Sequence, residues 1–264
     1  KGLAGSHDGH VLFRQGLVLF QFTATIAVIA GSIIIYKQLG FVSNKNLGFN
    51  KDQVITFHIN NMESRNSVNA IREELLGNSS IENAATAGNP IGNNNIGGTD
   101  YKIENEDRSR FANSFTIDED FVPTLEIQVI EGRKCDKAIV TDKDRAILVN
   151  ETLVYDAGWD AAVGKKIRMR DIEFEVVGVV KDFNIYSLQH KVEPLILQLP
   201  KTNSEKDNFY VRVANVEAIA ALEATYKKYD NSGPFEYNFL DQNFERQYHA
   251  EQLQGKLLLT FTAL

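Results

Sequence analysis

The sequence of 264 residues contains a single cysteine, Cys135, which excludes an internal disulfide, a disulfide scaffold and a clustered-cysteine zinc site. Basic residues are also in deficit. Lys and Arg number 28 against 35 Asp and Glu, leaving a net charge of −7 and no basic stripe to neutralise phosphates, which argues against nucleic acid as a partner. Apart from His7 and His10, three residues from each other, the histidines His58, His190 and His249 lie far apart; there is no H-x-x-x-H pair, and no G-x-S-x-G is present. The glycine-rich stretch Gly88 to Gly98 (GNPIGNNNIGG) lacks the G-K-[ST] ending of a P-loop and reads as an ordinary loop. No catalytic, cofactor-binding or metal-ligating residues are therefore expected, and no cofactor.

Two features are weighed against that expectation. Asp118, Glu119 and Asp120 are consecutive, and a carboxylate pair can do acid/base work when held about 5–9.5 Å apart. Adjacent acids on a turn more simply form a solvated cap for a helical turn whose apolar face is Phe121, Val122 and Leu125. A membrane-anchored hydrolase using Asp118, Asp120 or Asp182 is accordingly the weakest reading. Cys135 follows Arg133-Lys134 in an expected surface loop, where neighbouring cations would lower its pKa; a lone loop thiol is usually incidental.

What the chain does have is one long uncharged run. Gly16 to Tyr36 (GLVLFQFTATIAVIAGSIIIY) covers 21 residues between Arg14 and Lys37. At about 1.5 Å per residue it spans roughly 30 Å, the thickness of a bilayer's hydrocarbon core. A cleaved signal peptide would have an apolar region of about 7–15 residues and a small-residue cleavage site. The spacing predicts a transmembrane helix, with Thr23, Ala27 and Gly31 four apart as a face where another helix could approach. At the other end LLLTFTAL, residues 257–264, is too short to cross and reads as the start of a second span, cut short, the alternative being an apolar C-terminal tail.

Between these runs the composition, 43% hydrophobic and 24% charged, is that of a globular domain. Its size and polarity place it outside the cytoplasm. The expected fold class is α+β, with membrane and stalk helices flanking a domain of β-α-β units split around a β-rich insertion. The expected boundaries are a cytoplasmic linker over 1–15, the transmembrane helix over 16–36 and a stalk helix over 37–50, with Gly48 at its C′ position. A first β-α-β half follows over 51–100, then the insertion over 101–207, with one short helix over 151–158. The second half occupies 208–240, a polar stalk helix capped by Asp241 runs over 241–256, and the truncated span covers 257–264. In the first half, Gln53 to Ile59 alternates as a strand and Val68, Ile71, Leu75 and Leu76 share a helix face. In the second, Val216, Ile219, Ala220, Leu222 and Tyr226 are expected to point inward. In the insertion, Asp171 to Val180 is the most strand-like run, and Gly178 within it suggests a bulge or a close backbone approach. A helix leading from a folded layer into a membrane is suited to act as a lever.

Five runs carry a family resemblance. FRQGLVLFQFTATIAVIAGSIIIYKQLGFVSNKNLGFNKDQVI resembles the start of the second half of MacB/FtsX-type ABC transporter permeases, from the envelope of two-membrane bacteria. DEDFVPTLEIQVIEGR, AILVNETLV with GWDAAVGKKI, FEVVGVVKDFNIYSL with EPL, and FLDQNFERQYHAEQLQGKLLLTFTAL are similar to the family's later runs, in order. The resemblance covers nearly all of the chain after Phe13; Cys135 departs from it where an aromatic residue is expected.

The resemblance implies a periplasmic domain with a porter-like part split around a β-rich insertion, carried on the bacterial inner (cytoplasmic) membrane. It implies a cytoplasmic ABC ATPase subunit on a separate chain and a second permease copy or half. It also implies a periplasmic adaptor, outer-membrane component or cell-wall hydrolase to receive the motion. In the family this domain does no chemistry, so no catalytic residue carries over. The leading expectation is a permease subunit of an ATP-driven exporter or mechanotransmission complex. The alternative is an extracytoplasmic sensor domain, as in receptor kinases, which shares the span-domain-span plan.

Overall fold

The computed structural model describes residues 6–44, 47–92, 96–104, 106–186 and 191–243. They fall into two units, one formed around the N-terminal helix and one comprising the domain.

The first unit is helix α1, Ser6–Asn44. It begins inside the segment expected to be a linker and runs past Tyr36. Its stretch Val11–Ile35 is long and apolar enough to cross a membrane, with a mean hydropathy of 2.2. Leu12, Phe13, Leu19, Phe20, Phe22 and Ile26 are all more than half exposed. A surface of this kind is costly in water and is matched by lipid. The hydroxyls of Thr23, Thr25 and Ser32 donate to the carbonyls of Leu19, Gln21 and Val28, four residues back, at 2.8–2.9 Å. They are thereby satisfied without water, as a hydrocarbon medium demands.

The domain opens with β1 Val54–His58, the short helix α2 Met62–Asn66, α3 Val68–Leu76 and β2 Ile81–Ala87. There follow β3 Gly98–Ile103, β4 Arg110–Thr116, α4 Phe121–Thr124, β5 Val129–Gly132, α5 Asp142–Arg145, β6 Ala146–Asn150 and α6 Glu151–Ala157. Then come β7 Lys166–Met169, β8 Ile172–Val180 and β9 Leu195–Gln198, and finally β10 Asn208–Val213, α7 Ala218–Tyr229 and β11 Tyr237–Phe239. The stretch between β3 and β9 thus holds three short helices rather than one.

The first and last pairs of strands form one antiparallel sheet in the order β11-β1-β10-β2, the arrangement of a split β-α-β fold. Period-2 alternation divides its faces. Ile55, Phe57, Phe209 and Val211 turn to α3 and α7, meeting Ile71, Leu75, Leu222 and Tyr226, with Phe57 stacked on Phe209 at 5.0 Å between ring centroids. Val54, Ala85, Ala87 and Tyr210 turn the other way, into a core shared with the second sheet. Three expected core positions differ, and one of them, Ala220 on α7, is exposed. Val216 precedes α7 and is 71% exposed, and Leu76 at the end of α3 is 43% exposed. The buried place on α3 is taken instead by Arg72.

The second sheet runs β5-β8-β6-β9-β4-β3-β7, and β7 pairs with β8 as well. Six strands therefore close into a circuit, β8-β6-β9-β4-β3-β7, with β5 on the outside of β8. Tyr101, Ile147, Val149, Ile167, Phe174 and Ile196 fill its interior together with Leu153 and Ala157 of α6. Phe115, Leu148, Leu195 and Leu197 face outward into the shared core. Asn150 caps α6 by accepting from Leu153 N, and Gly158, at φ +70°, ends it in the left-handed conformation.

Gly178 carries both features expected of it. The register of β8 against β6 slips between Val176 and Gly178, and a Cβ on Gly178 would lie 2.2 Å from the Arg133 carbonyl oxygen. Gly48 does not cap the helix: at φ +87° it lies beyond the end of α1, where a Cβ would meet Asp182 O at 2.4 Å. The chain turns helical again at 240–243. The remainder of the expected second stalk and the truncated span lie outside the described residues.

Candidate functional site

The acidic run after β4 is not a solvated cap. Asp118 is 2% exposed and sits where the two sheets meet. Its Oδ2 accepts from Thr86 N at 2.6 Å, from Thr86 Oγ1 at 2.7 Å and from the Arg72 guanidinium, while its Oδ1 accepts from Asp120 N at 3.1 Å. Arg72 belongs to α3 and Thr86 to β2, so a carboxylate leaving the barrel is gripped by two elements of the split sheet. Arg72 Nη1 also donates to Asp120 Oδ2 at 3.0 Å. Burial raises the Asp118 pKa to about 6, outweighing the attraction of Arg72 and the Thr86 hydrogen bonds. Burial acts in the same sense on Glu119, but the Lys137 ammonium at 2.9 Å prevails and holds it below its ordinary value. This arrangement is an electrostatic joint, in which each of the three carboxylates is paired with a protein cation.

A second fork joins the same two layers. On β10 Arg212, 7% exposed, donates through Nε to Thr124 O at 2.9 Å. Its Nη1 and Nη2 donate to Asp52 O and Asn50 O, each at 3.0 Å. One guanidinium thus ties the segment entering β1 to the helix α4 that follows the barrel strand β4. Neither Arg72 nor Arg212 was expected from the sequence as a working residue. The available signal was an arginine on an otherwise apolar helix face and another inside an apolar strand.

The remaining candidates are structural. Asp182 accepts from Asn150 Nδ2 at 2.8 Å, Thr152 N at 3.0 Å and Thr152 Oγ1 at 2.7 Å, which fixes the start of α6. It lies in a separate network from Asp118 and Asp120. Cys135 is not on the surface: it is 5% exposed, and burial, reinforced by Asp142, pushes its thiol up to about 12. The expected lowering by Arg133 is the smaller effect.

In the glycine-rich loop the Ile91 N–H donates to Tyr210 Oη at 2.6 Å, Gly92 N to Ile185 O at 3.0 Å and Gly88 N to Thr116 O at 3.0 Å. These donors face protein rather than an anion. Of the histidines, His58 lies beside Asn208 Oδ1 at 3.2 Å; His190 and His249 lie outside the described residues. Among the described residues no three His, Cys, Asp or Glu side chains come together as metal ligands.

Taken together these features define an α+β domain of two coupled layers, preceded in the chain by a helix able to span a membrane. The chain belongs to the MacB-like periplasmic core domain family, whose model matches residues 22–229, and is thus part of a MacB/FtsX-type permease. No curated protein matches the sequence. Among solved structures, the periplasmic region of MacB from Actinobacillus actinomycetemcomitans has a TM-score of 0.54, covering 78% of this chain and 98% of its own at 15% identity. The extracellular domain of the noncanonic ABC-type transporter YknZ from Gram-positive bacteria is similar at a TM-score of 0.48, with 70% and 97% covered and 11% identity.

Proposed function

We propose that this chain is the permease subunit of an ATP-driven ABC exporter or mechanotransmission complex in the bacterial inner membrane. Its domain stands in the periplasm and passes motion generated by a cytoplasmic ABC ATPase to a substrate or an envelope partner. The helices leading into and out of the domain serve as levers, and a second permease copy or half completes the unit. Family membership supports this reading over an extracytoplasmic sensor.

The observation that carries the reading is the Arg212 fork. The domain's first and last strands, β1 and β11, are hydrogen-bonded neighbours, with Ile55 opposite Phe239. Both connections therefore leave the sheet at the same end. A displacement of the entering segment acts directly on the Asn50 and Asp52 carbonyls held by Arg212, and through the same guanidinium on Thr124 beyond the barrel strand β4. The joint at Arg72 and Asp118 ties the two layers together at a second place, so motion at the connections moves the domain as a whole.

The test is a disulfide lock between the two lever segments. Paired cysteines in 37–46 and 241–256 are introduced into the full chain assembled with its ATPase, and ATP-dependent transport or partner activation is measured oxidised and reduced. Oxidation is expected to abolish coupling while leaving basal ATP hydrolysis measurable, and reduction to restore it. Full coupling in the locked state would exclude the lever.

A further inference from the structure

The barrel is closed at one end and open at the other. Where β6 ends, α6 turns inward and Leu153 and Ala157 pack into the interior core. At the opposite end, where β3 and β8 start and β7 and β9 stop, the interior opens into a cavity of about 240 Å³. Met169 and Phe174 form its apolar floor, 5% and 4% exposed. Ser114 and Gln198 line its wall, and neither side chain hydrogen-bonds to another described residue. Arg170 and Lys201 stand at the rim.

Arg170 is held there by the two-residue turn Arg170-Asp171 between β7 and β8, both residues having positive φ, +47° and +64°, as a tight hairpin requires. Lys201 Nζ lies 5.2 Å from the centroid of the Phe174 ring, which places its charge over the floor. Neither cation has an ion-pair partner among the described residues. Glu205, the acid lining the cavity, is turned to the backbone, where its Oε2 accepts from Lys201 N at 2.7 Å.

The volume limits what fits. At roughly 30 Å³ per water the cavity holds the equivalent of about eight waters, below the usual 300–1,000 Å³ of a drug-sized site. A lipid chain is therefore excluded, and a single apolar side chain with its polar head is the right size. An apolar floor, unpaired hydroxyl and amide groups on the wall, and two cations at the rim match, in order, an apolar side chain, an amide and a carboxylate.

We infer that the open mouth of the barrel binds an apolar amino-acid residue through its α-carboxylate, either free or at the C-terminus of a peptide. Arg170 and Lys201 take the carboxylate, Ser114 and Gln198 the adjoining amide or amine, and Met169 and Phe174 the side chain.

The test uses the full chain in lipid nanodiscs with carbon-13 labelled methionine methyl groups. The chain has only two methionines. Met169 is in the cavity floor, and Met62, on α2 and 51% exposed, does not line it and is the internal control. N-acetyl-leucine is expected to shift the Met169 methyl resonance and leave that of Met62 unmoved, with a Kd on the order of 1 mM for so small a ligand. N-acetyl-leucinamide, which lacks the carboxylate, should bind about tenfold more weakly. The double variant R170Q/K201Q should abolish that preference while keeping both methyl resonances of the unliganded protein in place; K201Q alone should reduce it.

Tighter binding of acetyl-Ala-Ala-Leu than of leucine assigns the site to peptide termini, and the reverse order assigns it to free amino acids. A Met169 resonance unmoved by all of these ligands, or equal binding of acid and amide, would overturn the inference. The measurement needs no ATPase, so its failure leaves the permease reading untouched.

Discussion

Replacing Asp118 by asparagine is expected to change how the domain's stability depends on pH, with a sign set by burial. Asp118 is 2% exposed, and its pKa is raised from 3.8 to about 6 in the folded chain. Above pH 6 the fold must hold a desolvated charge, which Arg72 and the Thr86 donors offset only in part. Between about pH 6 and 3.8 the folded chain binds a proton that the unfolded chain does not, so this group's contribution to stability rises as pH falls through that window. A gap of about two pKa units corresponds to roughly 3 kcal/mol. Asp142 and Asp230 are held below their ordinary values and act in the opposite sense, losing stability in acid. They are common to both proteins and cancel in the difference. The assay is urea unfolding followed through the single tryptophan, Trp159, which packs against the barrel core. The stability of the wild type relative to D118N should increase by up to ~3 kcal/mol between pH 7 and about pH 4. Parallel curves would refute the reasoning. A wild type that loses ground in acid would show that the Arg72 pair and the three other hydrogen bonds outweigh burial.

Two further perturbations follow from close packing. The buried thiol of Cys135, with its pKa pushed up to about 12, should react with a disulfide reagent at pH 8 roughly 10³-fold more slowly in the folded chain than in urea; comparable rates would place the residue on the surface after all. Gly178→Ala should destabilise the domain by about 2–4 kcal/mol in the same urea assay, because the new methyl would sit 2.2 Å from the Arg133 carbonyl oxygen and β5 must move off β8. Gly233→Ala, with no atom within 4 Å of the added carbon, is the control and should stay within about 0.5 kcal/mol.

The parts of the fold legible in the sequence are those whose cause is local. The uncharged run ahead of Lys37 announces α1 because nothing but length and apolarity decides a span. Alternation in β1, the strand-like run of β8 and the helical spacing of Val68, Ile71 and Leu75 announce elements, since each needs only a core to turn to. Barrel closure was not legible. It depends on β8 serving two partners along one edge, β7 through Ile172 to Glu175 and β5 through Gly178 to Val180, while β6 takes the other edge, and on four-residue strands too short to carry a pattern. The cavity at the barrel mouth was hidden for the same reason, its wall being drawn from strands far apart in the chain.

The joint was illegible for a more instructive reason. Periodicity assigns Arg72 to the buried face of α3, and composition alone makes an arginine there look like a solvated interruption of that face. Its meaning comes from Asp118, 46 residues later, and from Thr86 on the strand between them. A buried pair of this kind contributes little net stability, since desolvation consumes most of the attraction, yet removing one partner is costly. It therefore favours a single seating of the barrel against the split sheet over a set of slipped ones that an apolar contact alone would tolerate. The Arg212 fork acts similarly, meeting three backbone carbonyls whose positions are fixed relative to one another only when both layers are seated. The proposed function would need that single seating, because slack at the contact between the layers would absorb a displacement entering at one end.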